Sequence, residues 1–460
     1  MESIEILIVG SCFCLSTFLF YKAAGTLKPN RINVISYVYY IFMLQTFIGT
    51  ALIVFGFDKH YTLNYLLARE QSIKTTFYVV MIASIALPLA ILVVEKVINL
   101  NIKKRFSYFL DGCVQCKNEK VAFKVLLFCS IVTLLLLFGF LIKIGYIPAL
   151  KLIYAPSDFD FSMERGRISN LYFINPYISN LIILSGIPLL SYVIFSYALV
   201  IKKKTWWILA MIMFGASVIV KTYKFEKSPV LFHLVVFFMI ILFYYGRKIK
   251  LFHISFVAVL GALIIILMYI STGYSGAFLD IYNGPIGRTI FTEVGTLSYN
   301  FDMFPNIFPF LEGRSLSPSI LTLLGQDQGT HLRSAKLLMA YYGSEKVYDG
   351  GAGVMNSFFA GEAYANYGFC GVAFSIVWVA IYITLIMWIV LKLRKTPETM
   401  AYLAVITMRV GSMIEGGFVD FIYSFDIIFL TIFVLGLYWI LESEGKLQKR
   451  VLLYVKKIKK

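Results

Sequence analysis

Arg288, Glu293, Arg314, His331, Arg333 and Glu362 all fall within residues 271–367, the one long run of this chain too polar to sit in lipid. Carboxylates and an imidazole move protons near neutral pH, and guanidinium groups hold anions. The stretch therefore has groups suited to moving a proton and to holding an anion. It closes on SFFAGEAYANYGF, where Glu362 and Asn366 share a helix face and Gly361, Ala365 and Gly368 offer a small-residue face for close packing. Glu362 either takes a proton or pairs with an arginine and anchors the loop. Upstream, Ile290, Phe291, Val294, Leu297 and Phe301 follow helical spacing, with Arg288 and Glu293 off that stripe, toward water or a cavity. Pro305 and Pro309 break this helix. The segment HLRSAKLLMAYYG makes a second amphipathic piece carrying His331, which is a proton carrier or simply a solvated histidine.

Other cations stand apart from this stretch. Arg165 and Arg167 flank Gly166, so both can turn toward one anion, or pair with Asp158, Asp160 and Glu164 in a solvated loop. Lys221, Lys224 and Lys227 cluster in VKTYKFEKSPVLF and would suit a diphosphate; Lys227 caps the following span, whereas Lys221 reads as a snorkelling anchor. Arg409 lies in the apolar run AYLAVITMRVGSMIEGGFVDF and should face the protein interior and pair there, with Gly416 and Gly417 marking a break after Glu415. No metal site or cofactor is expected: His60, His233, His253 and His331 are isolated, and Cys113–Cys116 is a C-x-x-C without a second half. No P-loop, G-x-G-x-x-G or G-x-S-x-G occurs.

The elements that must position these groups are membrane spans. Of 460 residues, 59% are apolar and 15% charged, well below the roughly 25% charge of soluble domains. Eleven runs are candidates to cross about 30 Å of hydrocarbon: 4–21, 33–56, 76–98, 122–145, 173–201, 205–220, 229–246, 251–271, 367–391, 399–413 and 421–441. None alternates in polarity as a barrel strand would, so all are read as helices. Assigning alternate connections to one side gives that side 26 of the 42 basic residues and 6 of the 25 acids, net +20; the other side has 16 and 19, net −3. This places the N-terminus outside and the C-terminus in the cytoplasm. The expectation is one all-α polytopic domain over 1–460, with extracytoplasmic loops at 146–172 and 272–366 containing short amphipathic helices. A basic cytoplasmic tail at 443–460 would lie on anionic headgroups. The net charge of +17 is thereby a topology signal rather than a sign of nucleic-acid binding. The first apolar run lacks the basic start and cleavage site of a signal peptide, and no cysteine lies in the two external loops.

KTYKFEKSP before a span, GRTIFTEVGTLSYNFDMFPNIFPFLEGRS and NSFFAGEAYANYGFCGV, in a layout of about a dozen spans and two long external loops, resemble the bacterial O-antigen and capsule repeat-unit polymerases (Wzy type). The resemblance implies a metal-independent, GT-C-like membrane glycosyltransferase in the inner (plasma) membrane. It would move a glycan from undecaprenyl diphosphate onto a second lipid-linked repeat unit, alongside a chain-length regulator and a flippase. On this reading Glu362 is the general base, with Glu293 or His331 behind it. Arg165, Arg167, Lys227, Arg288 and Arg409 receive the diphosphate, and Tyr341, Tyr342, Tyr364, Asn366 and Arg314 meet sugar. An O-antigen ligase and a lipid-linked oligosaccharide flippase or other transporter are the alternatives.

Overall fold

The computed structural model describes residues 3–154, 159–226, 228–271, 276, 278–348 and 353–458. Every regular element among them is helical. Nine helices among the described residues are long and apolar enough to cross a membrane: Ile4–Arg31, Val34–Val54, Arg69–Val97, Glu119–Ile144, Ile178–Ile201, Lys204–Thr222, Ser228–Tyr245, Phe359–Lys392 and Val419–Leu441. The other two expected spans are also helices, Leu251–Ser271 and Pro397–Ile414, but do not fall among the nine.

Pro397–Ile414 is the hub. Thr396 opens it as a capping box with Thr399, and Pro397 occupies the first turn, where its missing N–H costs nothing. Every one of its residues except Arg409 and Ser412 is buried, as befits a helix enclosed on all sides. It packs against Val34–Phe42, Ile187–Ile201, Ser228–Tyr245 and Phe425–Ile458. At its far end Glu415 is followed by Gly416 and Gly417, whose φ of +137° needs glycine.

Three irregularities shape the end of the bundle where this helix stops. The Val34–Val54 span contains a π turn at Met43–Phe47, a device common at functional sites. The Phe359–Lys392 helix is kinked at Tyr367 and Gly368, which splits the GEAYAN turn from the span proper. The third is Pro285–Met303, the helix anticipated from the 290–301 stripe; Phe291, Val294, Leu297 and Phe301 are buried as expected. It lies against Arg69–Val97, the π turn and Phe359–Lys392. Gly49 permits this approach, since a Cβ there would stand 2.2 Å from the Ile290 carbonyl oxygen. At its other end Asp302 accepts from the N–H groups of Leu67 (2.9 Å) and Ala68 (2.7 Å) and from Ser72 Oγ (3.0 Å), capping the Arg69–Val97 helix from outside. The two loops carry the expected short helices, Pro148–Tyr154 and Phe161–Ser169 in one, Pro318–Leu323, Ser334–Tyr342 and Ser344–Tyr348 in the other.

Candidate functional site

Glu362 sits in the first turn of the kinked helix and is 2% exposed. Arg333, at the N-cap of Ser334–Tyr342, donates to it twice, Nε to Oε1 at 3.1 Å and Nη2 to Oε2 at 3.4 Å. The Val419 N–H donates to Oε2 at 3.0 Å. Arg333 Nη1 also reaches Asp420 Oδ1 at 3.3 Å. Gly417 lies hard against this pair, with room for no Cβ: one would meet Glu362 Oε2 at 2.4 Å and Arg333 Nη2 at 2.8 Å. A buried carboxylate with both oxygens engaged by a guanidinium and a backbone N–H holds three segments together.

On the other side of the same turn, Glu415 accepts from Thr46 Oγ1 at 2.8 Å, within the π turn. Glu293 is within electrostatic reach of both Glu415 and Arg288. Six residues before Glu415, and so about 9 Å down the helix, Arg409 pairs with Asp426 at 3.4 Å. Ser185 Oγ donates to the same carboxylate at 3.3 Å. Lys221 stands within reach of Arg409 and Asp426, so two cations share one acid. Residues 409–426 thus close on themselves where Arg409 meets Asp426, with Lys221 in reach, and between those two ends carry Glu415, the Val419 N–H and Asp420 to the carboxylate corner.

Arg165 and Arg167 do not turn toward one anion. Gly166 sits inside the Phe161–Ser169 helix, and residues two apart on a helix point roughly 200° apart. Arg165 donates to the carbonyls of Lys224 (3.0 Å) and Phe225 (3.4 Å), which ties it to the segment just after Lys221. Arg167 closes on Glu164 (Nη2–Oε1 2.5 Å) and on the Ile144 carbonyl, and Tyr146 donates to the same carboxylate at 2.6 Å. The arginine and tyrosine hold the Glu164 carboxyl below its usual range. Lys227, like Asp158, lies outside the described residues. Arg288 is exposed beside Glu293.

His331 is half-buried, and its Nδ1 hydrogen-bonds the Leu316 carbonyl at 2.7 Å. Asn366 is occupied on both sides of its amide. Nδ2 donates to the Glu362 carbonyl (2.8 Å) and to Ser315 Oγ (3.0 Å), and Oδ1 accepts from the Gly313 N–H (3.0 Å). Arg314 donates to the carbonyls of Leu311 and Phe310. Tyr342 stacks on Tyr299 with ring centroids 4.0 Å apart and donates to Asp302 at 2.7 Å. Tyr364 is buried among Phe301, Phe310 and Phe369. Tyr341 alone of the three tyrosines is exposed. Sequence reasoning did not single out Asp420, Thr46 or Asp302, and took Lys221 for an anchor only; nothing local in the sequence marks partners that arrive from distant segments.

No protein-family model, curated protein or solved structure matches this chain.

Proposed function

We propose that the chain is a GT-C-type membrane glycosyltransferase that joins undecaprenyl-diphosphate-linked repeat units into a surface polysaccharide at the outer face of the inner membrane. What carries this reading is the meeting of two cations, Arg409 and Lys221, on the single acid Asp426 in a polytopic protein, with the enclosed carboxylates Glu415 and Glu362 close by along the chain and at its corner. An acceptor hydroxyl oxygen attacks the anomeric carbon of the donor glycan, and the bond from that carbon to the diphosphate oxygen breaks. The electron pair leaves on the lipid diphosphate, toward Arg409 and Lys221, with Arg165 holding the adjoining segment in place. The hydroxyl proton passes to a carboxylate. Arg333 and Glu362 fix the corner on which these groups hang. Donor and acceptor glycolipids are the partners, with a flippase supplying units and a regulator setting chain length.

A transporter is the second reading, and one observation favours it. His233 is buried within the Ser228–Tyr245 span and joins Tyr192 OH (2.5 Å) to Ser217 Oγ (2.8 Å) across three helices, close to Lys221. Polar groups lining span interiors are what a translocation path uses. The lipid-linked pool of a strain lacking the protein separates the readings. Single repeat units accumulating outside indicate a polymerase, units trapped inside indicate a flippase, and complete polymer left unattached indicates a ligase.

A further inference from the structure

Beside Glu293 stands a second carboxylate that the reaction above leaves without a part. Glu415 is 7% exposed; its Oε1 accepts from Thr46 Oγ1, and its Oε2 is enclosed without a hydrogen-bond partner. Glu293 is half-buried as a residue, yet its Oε2 is likewise enclosed and unpartnered. The helix carrying Glu293 lies against the π turn carrying Thr46, and the close approach at Gly49 fixes that packing. An ionised carboxylate oxygen sealed from water with no donor is strongly disfavoured. Two in electrostatic reach of each other are not both kept charged there, and one proton on the pair removes the repulsion.

Among the described residues, the charged groups facing the pair are these. Arg288 comes from Glu293's own helix; across Gly416 and Gly417 stand Glu362, Arg333 and Asp420, already committed to one another. Burial first, and the neighbouring Glu415 second, push the Glu293 carboxyl well above the usual carboxylate range, with Arg288 opposing. Burial pushes Glu415 up to about 8, with the Thr46 hydrogen bond opposing.

We infer that Glu293 and Glu415 work as a one-proton pair, in which Glu293 takes the acceptor hydroxyl's proton and Glu415 is the positioning residue that holds the shared proton behind it. This rests on the glycosyl-transfer reading proposed above. Glu362 is unsuited to the task, because protonating it would break its ion pair with Arg333 and release the Val419 N–H. In the step, the acceptor oxygen bonds to the anomeric carbon, the carbon–oxygen bond to diphosphate breaks, and the hydroxyl proton moves to ionised Glu293. That proton then leaves to water after the product departs.

The test uses the full chain in vesicles with a defined undecaprenyl-diphosphate-linked repeat unit, and reads elongation from pH 5 to 9. The wild type should give a bell-shaped profile. The acid limb marks proton uptake by the base, and the alkaline limb marks loss of the shared proton. Glu415→Gln replaces the shared proton with a permanent amide donor, so its alkaline limb should vanish while the acid limb persists. Glu293→Gln should lose more than about 100-fold in rate at every pH. A Glu415→Gln profile matching the wild type, or a Glu293→Gln rate within tenfold of it, overturns the pair. Infrared difference spectra of the same proteins decide the matter independently of turnover. The wild type should show a protonated carboxyl at pH 7 that titrates away in alkali and is missing in Glu415→Gln; its absence from the wild type overturns the pair too. Were no vesicle preparation to turn over while that infrared signal was present, the glycosyl-transfer reading would fall and the pair would stand.

Discussion

Glu362 and Arg333 lie 29 residues apart in sequence and meet in a two-pronged ion pair. The Val419 N–H and Asp420 come to the same pair from a third segment. Three stretches of chain with no local reason to meet are thereby locked at the end of the hub helix. Removing one partner of such a pair leaves a buried charge uncompensated. Arg333→Ala, which strands the enclosed Glu362 carboxylate, is expected to cost about 3–5 kcal/mol, read as a lower Tm in detergent. Arg333→Lys should not rescue stability, because an ammonium cannot reproduce the planar fork.

Gly417 is the hinge pin of that lock. Its backbone conformation disfavours any side chain, and its missing Cβ is what leaves room for the Glu362 carboxylate. Gly417→Ala should cost at least about 1–3 kcal/mol and reduce polymer yield, whereas Gly436→Ala, where a Cβ meets nothing, should change Tm by less than about 0.5 kcal/mol equivalent.

Asp302 gathers four donors from Leu67, Ala68, Ser72 and Tyr342. Asp302→Asn replaces an acceptor with an amide whose NH₂ must face donors, so about 1–3 kcal/mol should be lost. Local unfolding should then begin at residues 61–72, seen as faster hydrogen exchange there than in the hub helix.

His60 links stability to pH. It is buried in the 55–68 connection, with Nδ1 on Thr62 Oγ1 at 2.7 Å, and burial pushes its pKa down to about 4. The unfolded chain therefore binds a proton near pH 6.5 that the folded chain refuses until about pH 4. Stability should be full above pH 6.5, fall as pH drops through that window, and level off below it, by up to about 3 kcal/mol. His60→Gln should flatten this part of the Tm–pH curve.

The sequence made the helices legible and the corner illegible. The apolar stripe of 290–301, the breaks at Pro305 and Pro309, and the GEAYAN turn ahead of a span all follow from local periodicity and backbone chemistry. Glycines 416 and 417 marked a break at the end of a charged apolar run, the nearest the sequence came to the site. The pairings themselves are tertiary: Glu415 meets Thr46 across 369 residues, and nothing near either position announces the other. Gly166 suggested a bend that would let two arginines converge, but helix continuity from Phe161 to Ser169 sends them apart. Helical spacing put Asn366 on one face with Glu362, but its partners Gly313 and Ser315 arrive from a loop and local spacing does not show them.

Arg409 supplies the sharpest separation between binding and folding. It is partly exposed, pairs with Asp426 at 3.4 Å and shares that acid with Lys221. Arg409→Gln should leave Tm within about 1 kcal/mol equivalent of the wild type, yet raise the donor concentration needed for half-maximal elongation at least tenfold. Arg409→Lys should recover part of that loss.

The most direct measurement is elongation by the purified chain in vesicles, given one defined undecaprenyl-diphosphate-linked repeat unit and a chelator. A ladder of lengthened glycans with release of one undecaprenyl diphosphate per bond formed is the predicted result, lost in Arg409→Gln with Lys221→Gln. Units that cross the bilayer unlengthened, or stay unchanged while the protein remains folded, would contradict it.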